Sequence, residues 1–192
     1  MQNDLHHGFS ESPAPIDNTI LWTATVTGNI HEFPTPVIVY GIVYYPSNEG
    51  SDSLYALDAA TGELIWKYHT GITDDAVTVK DGYLYTASDS LWCLDALTGE
   101  RIWASGDADG HAGTPVVVDG RVYCGRSNRH LHISHIYCFD AETGTEIWSN
   151  TLSGYTASCI TVWNGMVFVP TCHLNNAIPL YALDAATGSI IW

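Results

Sequence analysis

Apolar, β-branched and aromatic residues come in short runs along most of this chain, and Gly, Asp, Asn and Thr separate the runs. Pro36-Val-Ile-Val39 faces Ile42-Val-Tyr-Tyr45 across Tyr40-Gly41. The arrangement returns as Ala76-Val-Thr-Val79 with Tyr83-Leu-Tyr85, as Pro115-Val-Val-Val118 with Arg121-Val-Tyr-Cys124, and as Cys159-Ile-Thr-Val162 with Met166-Val-Phe-Val169. Two such runs joined by a glycine-containing turn predict a β-hairpin. A second hairpin follows each of these, the first being Leu54 to Trp66, where Asp58-Ala59-Ala60-Thr61-Gly62 supplies the turn. Two hairpins in succession predict a four-stranded antiparallel sheet. The strands are apolar on both faces, as expected of sheets sandwiched between other sheets.

The eleven residues Ala56 to Trp66 recur as Cys93 to Trp103, Cys138 to Trp148 and Ala182 to Trp192. The positions that hold throughout include the Asp (Asp58, Asp95, Asp140, Asp184), the Gly after Thr (Gly62, Gly99, Gly144, Gly188) and the closing Trp (Trp66, Trp103, Trp148, Trp192). The carboxylate can accept free N–H groups of the turn, and glycine supplies the positive φ that closes it. The Trp would pack its apolar face on a neighbouring sheet and offer its indole N–H to a carbonyl. Successive Trp residues stand 37, 45 and 44 positions apart, with Trp22 another 44 earlier. A period of this length built from short strands is that of a propeller or solenoid array.

Ala-x-Asp-x-x-Thr-Gly-x-x-x-Trp resembles the tryptophan-docking motif of the PQQ-like (quinoprotein-type, BamB-like) β-propeller repeats. That family includes quinoprotein dehydrogenases and BamB-like outer-membrane assembly lipoproteins, and the resemblance covers residues 18 to 192. It implies an all-β fold, a propeller of four-stranded antiparallel blades at about 29 to 66, 67 to 103, 104 to 148 and 149 to 192, after an irregular leader over 1 to 17. Thr19 to Trp22 match only the last strand of a blade, which has no place in a closed four-bladed ring. The expectation is therefore the front part of a ring of about seven or eight blades, with open edges that invite self-association.

Composition narrows the partners. Twenty-one acidic against six basic residues give a net charge of −15, which argues against nucleic acid or an anionic membrane as partner. No stretch approaches the roughly 18 consecutive apolar residues of a membrane span. The N-terminal residues lack the basic and apolar segments of a signal peptide. Asp4 to Pro15 nevertheless look like the leader that precedes the first blade in exported repeat proteins of this family, so an extracellular, cell-surface or periplasmic address is expected. Five cysteines form neither a Cys-x-x-Cys nor an adjacent pair, so zinc and haem attachment have no support. Aligning the hairpins makes Cys124 and Cys138 diagonal neighbours on one face, which leaves a disulfide open beside the reading of buried free thiols.

Strand order divides the turns between two faces. The Gly turns and Thr-Gly turns are short and uniform; the connections on the other face, those between blades and those between second and third strands (Pro46 to Ser53, Ala87 to Ser90, Gly125 to His135, Pro170 to Pro179), vary in length. Repeat folds put insertions on the face that binds. His31, His111, His130 and His132 lie in these variable segments, with Glu32, Asp52, Asp89, Asp107 and Asp109 among the carboxylates. They are the candidates for a metal or cation site at the mouth of the central channel, against the alternative of a solvated polar rim. Strand alternation would aim His130 and His132 alike, and His31 and His111 should point to the channel.

The family resemblance implies two functional classes. A quinoprotein dehydrogenase would hold PQQ against a Trp and a disulfide ring of adjacent cysteines, with calcium bound by acidic and amide side chains; the adjacent cysteines are missing and the acidic set finds no match. A non-catalytic scaffold, binding a protein or glycan through its variable-loop face with no cofactor, needs nothing further and is the expected function.

Overall fold

The computed structural model describes residues 19–26, 35–47, 52–71, 76–106, 111–128, 130–156, 160–172 and 179–192. It is all-β, with four antiparallel sheets in chain order. The first contains β1 (Val37–Val39), β2 (Ile42–Ser47), β3 (Ser53–Asp58) and β4 (Leu64–His69), and the second contains β5 (Thr78–Lys80), β6 (Tyr83–Ala87), β7 (Leu91–Asp95) and β8 (Arg101–Ser105). The third adds a short outlying strand, β9 (His111–Ala112), to β10 (Val116–Val118), β11 (Arg121–Asn128), β12 (Ile133–Asp140) and β13 (Glu146–Ser153). In the fourth, β14 (Tyr155–Thr156), β15 (Thr161–Trp163) and β17 (Leu180–Asp184) all pair with β16 (Met166–Cys172). Residues 190–192 add its outer edge through Ile191 N–H to the Ala182 carbonyl and Ala182 N–H to the Trp192 carbonyl.

Apart from the short strands β9 and β14, which pair with β11 and β16, the strands of each sheet are ordered as in the chain, the meander of a propeller blade. The innermost strands touch in succession, β1 with β5, β5 with β10 and β10 with β15. The cores lie between sheets. One gathers Tyr44, Leu54, Ala56 and Trp66 of the first blade with Val77, Val79, Leu84 and Leu94 of the second. The next joins Tyr85, Leu91, Cys93 and Trp103 to Val122, Cys124 and Phe139, and the third joins Tyr123, Ile136, Cys138 and Trp148 to Val167, Val169 and Leu183. A strand covered on both sides explains the apolar runs without alternation.

The first hairpin of every blade turns on a two-residue loop in which both residues have positive φ: Tyr40-Gly41, Asp81-Gly82, Asp119-Gly120 and Asn164-Gly165. That geometry matches the twist of the flanking strands. Asp and Asn tolerate it; Tyr40 is the exception in the set.

Several expectations are corrected by the register. The outer strands do not end on the Trp but run on to His69, Ser105 and Ser153, which lie three, two and five residues past 66, 103 and 148. The segment Gly125 to His135 is largely strand: β11 reaches Asn128 and β12 begins at Ile133, because polar residues can fill a ladder whose backbone is paired. His130 and His132 therefore sit in a tight connection, where strand alternation does not apply. Tyr123 faces Cys138 and Cys124 faces Tyr137 across the ladder, which puts Cys124 and Cys138 on opposite sides of the sheet and in different cores. Both thiols are free.

Candidate functional site

The repeated turn is built from its Asp. Asp58 Oδ1 accepts the N–H groups of Ala60 (2.9 Å) and Thr61 (2.8 Å) and the Thr61 hydroxyl (3.1 Å), and that hydroxyl in turn accepts Glu63 N–H (3.2 Å). Asp95, Asp140 and Asp184 repeat these bonds onto Thr98, Thr143 and Thr187. The donors favour the charged form and hold all four carboxyls below the usual range. The Thr backbone N–H contributes most at Asp58, Asp95 and Asp140, and the Thr187 hydroxyl most at Asp184.

Each such turn receives a Trp from the blade before it. Trp66 Nε1 donates to the Ala96 carbonyl, Trp103 to Ala141 and Trp148 to Ala185, each at 3.1 Å. Trp22 does the same to Ala59 at 3.0 Å. The indoles lie flat on the glycines. A Cβ at Gly62, Gly99 or Gly144 would come within 2.6 Å of Trp22, Trp66 or Trp103, and one at Gly188 within 2.5 Å of Trp148. A bulge between Ala56 and Leu57, repeated at Cys93/Leu94 and Cys138/Phe139, sits beside each Trp and aims it at the next blade.

Sequence reasoning missed the second member of this contact. Tyr44, Tyr85 and Tyr123 stand at one position of the second strand and donate their hydroxyls to the same Ala96, Ala141 and Ala185 carbonyls at 2.9, 3.3 and 3.2 Å. Their rings pack on Trp66, Trp103 and Trp148 with centroids about 6 Å apart. The recurring Tyr in Val43-Tyr44, Leu84-Tyr85 and Val122-Tyr123 was the available signal. Burial pushes the Tyr44 hydroxyl up to about 12. The face carrying the Thr-Gly turns is thus occupied by contacts between blades.

The opposite end of the sheets is less uniform. Buried hydroxyls at Ser47, Ser88 and Thr171 occupy one position, where the third blade has the buried Arg126. Ser88 donates to the Thr70 carbonyl, Trp92 Nε1 donates to Ser88 Oγ at 3.0 Å, and Ser134 Oγ donates to the Gly154 carbonyl at 2.9 Å. These bonds tie down the rim from which the variable connections emerge. Asp52 and His132 hold equivalent places just before the third strand, both with positive φ. Asp52 Oδ1 and His132 Nδ1 are buried and have no hydrogen-bond partner among the described residues.

The histidines are not brought together. His31, Glu32, Asp107 and Asp109 lie outside the described residues; His111 is in β9, opposite Ser127 of β11. His130 is exposed beside Asn128, and the His132 ring packs near Tyr155. His135, on the next strand, shares a 2.9 Å hydrogen bond with the Thr151 hydroxyl. Among the described residues no three His, Cys, Asp or Glu side chains converge as metal ligands. The sequence has no adjacent pair of cysteines for the disulfide ring expected of a quinone site. Cys93, Cys124 and Cys138 are buried in separate ladder positions, and burial pushes the Cys93 and Cys124 thiols up to about 12. These three cannot form a disulfide ring, and thiols held protonated by burial are inert.

Among solved structures the chain is similar to the quinohemoprotein alcohol dehydrogenase of Comamonas testosteroni, with TM-score 0.72, 21% identity and coverage of 84% of this chain and 34% of that one. Against the quinohemoprotein alcohol dehydrogenase ADHIIG of Pseudomonas putida HK5 the TM-score is 0.70 at 21% identity, covering 87% of this chain and 34% of that one. Against BamB of Moraxella catarrhalis it is 0.59 at 19% identity, covering 85% and 50%. The chain thus spans about a third of the dehydrogenases' length and half of BamB's. These likenesses establish the β-propeller fold. No curated protein matches. The family model described as outer membrane protein assembly factor BamB matches residues 51–134 and 87–192. With its docking geometry repeated in every blade, the chain belongs to that PQQ-like β-propeller family.

Proposed function

We propose that this chain is a non-catalytic β-propeller scaffold of an exported or cell-surface protein, and that it binds a protein partner through the variable-loop face. The observation that carries this reading is the division of labour between the two ends of the sheets. One end is consumed by repeated blade-to-blade docking; the other differs from blade to blade, with Asp52 Oδ1 and His132 Nδ1 buried behind it without a hydrogen-bond partner among the described residues. The family's model is named for an outer membrane protein assembly factor, which supports both a protein partner and a periplasmic or surface address. No helix among the described residues is long and apolar enough to cross a membrane. A charge of −15 selects a partner with a neutral or basic surface.

Two measurements test the proposal. Protein mixed with PQQ and calcium is expected to reduce no dye with a panel of alcohols and sugars; turnover would replace the scaffold reading with that of a quinoprotein oxidoreductase. Replacing residues 129–132, the connection between β11 and β12, with a Gly-Ser linker leaves both strands intact and should reduce recovery of the partner from a cell-envelope extract. Unchanged recovery, together with a native circular dichroism spectrum, would move the binding surface elsewhere.

A further inference from the structure

In a chain with twenty-one acidic residues, one stretch has none. Residues 120–139 hold no Asp or Glu, yet they contain Arg121, Arg126 and Arg129, half of the chain's six Lys and Arg residues, together with His130, His132 and His135. Arg121 stands at the other end of β11, where its guanidinium donates to the Ala185 carbonyl at 2.9 Å. The remaining five fall between positions 126 and 135, at the connection between β11 and β12. Solubility does not call for this segregation, because a net charge of −15 already supplies it.

The same connection is built out and braced. From one starting place, β11 runs for eight residues against six in β2, five in β6 and seven in β16. β9 pairs with its Arg126 and Ser127, and β14 lies against β11 and β12. Asn128 Oδ1 accepts the N–H groups of His130 (3.1 Å) and Leu131 (3.0 Å), and the His132 carbonyl accepts Gly154 N–H at 2.8 Å. Arg126 is buried at the base, whereas Leu131 is 65% exposed at the tip with the exposed His130 beside it. A tip already tied into shape loses little entropy on binding.

We propose that this hairpin is the contact element of the variable-loop face and takes a short acidic segment of a protein partner, with Leu131 entering an apolar patch between the carboxylates. The inference rests on the reading of that face as the binding surface and adds the sign of the charge selected there. Arg129 lies outside the described residues; its place in the connection follows from its neighbours Asn128 and His130. A planar guanidinium holds a carboxylate with two hydrogen bonds, and imidazole N–H groups add further donors. At physiological salt a charge is felt over about 8 Å, so a segment at the tip meets these donors rather than the carboxylates elsewhere on the chain. The body of the partner still faces a molecule of −15 and is repelled unless it is neutral or basic. An extended anionic surface, whether bilayer or duplex, fails the second condition. A short acidic segment on a neutral or basic protein meets both.

Fluorescence anisotropy on the 192-residue chain tests the proposal with two labelled peptides of one length, Leu set among Glu and Leu set among Gln. An acidic chain offers a Glu peptide no general attraction, so its binding reports a local site. At physiological salt the Glu peptide is expected to bind about tenfold more tightly than the Gln peptide. Arg129→Glu should remove that difference, and Leu131→Ala should weaken both peptides by about fivefold. Arg101→Glu, at an exposed position at the other end of the sheets, should change neither. Equal affinities for the two peptides, no binding of either at millimolar concentration, or equal effects of Arg129→Glu and Arg101→Glu with native circular dichroism would overturn the proposal. Partner recovery that still falls when residues 129–132 are replaced would then keep the variable-loop face as the binding surface and remove only the acidic segment.

Discussion

The glycine of the Thr-Gly turn answers two separate demands, and the chain contains the means to separate them. Gly144 has φ +71, and a Cβ there would come within 2.6 Å of Trp103. Gly120, in the first hairpin of the same blade, has φ +72 and nothing within 4 Å of that position. Both substitutions to Ala meet the left-handed backbone cost of about 1–2 kcal/mol, but only Gly144→Ala also pushes an indole off its seat, at a further cost of about 1–3 kcal/mol. Urea denaturation should therefore find Gly144→Ala clearly less stable than Gly120→Ala. Equal losses would mean that the indole's close approach contributes nothing. This double demand explains why Thr-Gly recurs without variation while the Ala of the phrase becomes Cys in two blades. The Ala position lies opposite a Tyr in the ladder and is buried, where a small thiol fits as well as a methyl.

At the scale of the turn and its hairpin, the aspartates link stability to pH. All four carboxyls are held below their ordinary range when folded, so folding favours their charged form. The sign follows: this stabilisation is complete above the unfolded carboxylate pKa of about 4 and is lost as pH falls through the lower folded value. Relief of repulsion within an acidic chain acts in the opposite direction over the same range, so the useful measurement is a difference. Asp140→Asn keeps an oxygen acceptor without a titrating group. Its midpoint of urea unfolding should fall less than the wild type's between pH about 5 and 2, and parallel curves would remove the turn from the acid response. These turns and the docking Trp are legible in the sequence because each rests on a residue with one physical use, an Asp acceptor, a left-handed Gly or a large aromatic with an N–H. The Tyr partners are harder to see, since Tyr is common in β-strands for packing alone. The faces of Cys124 and Cys138 escape the sequence because a one-residue change in pairing moves a side chain to the other side of a sheet. Residues 125–128 read as loop because Arg126, Ser127 and Asn128 are polar, although their backbones pair fully with β12.

Over the whole molecule, each blade rests on its neighbours in the chain, so stability is close to a sum of blade terms and interface terms. The interface between the second and third blades is centred on Trp103, and its core contains Cys93 and Cys124; Cys138 belongs to the next interface, with Trp148. Buried thiols can then report each interface separately, since burial raises all three pKa values and keeps them unreactive in the folded chain. Trp103→Ala should cost about 3–5 kcal/mol of stability, the range for emptying a buried Trp site. In a short alkylation pulse at mild urea, peptide mass spectrometry should find Cys93 and Cys124 modified before Cys138. Trp148→Ala should reverse the order by exposing Cys138 first. If all three thiols react together in both variants, the blades unfold as one unit and the nearest-neighbour description fails, because loss of one docking contact would then be felt equally at every interface.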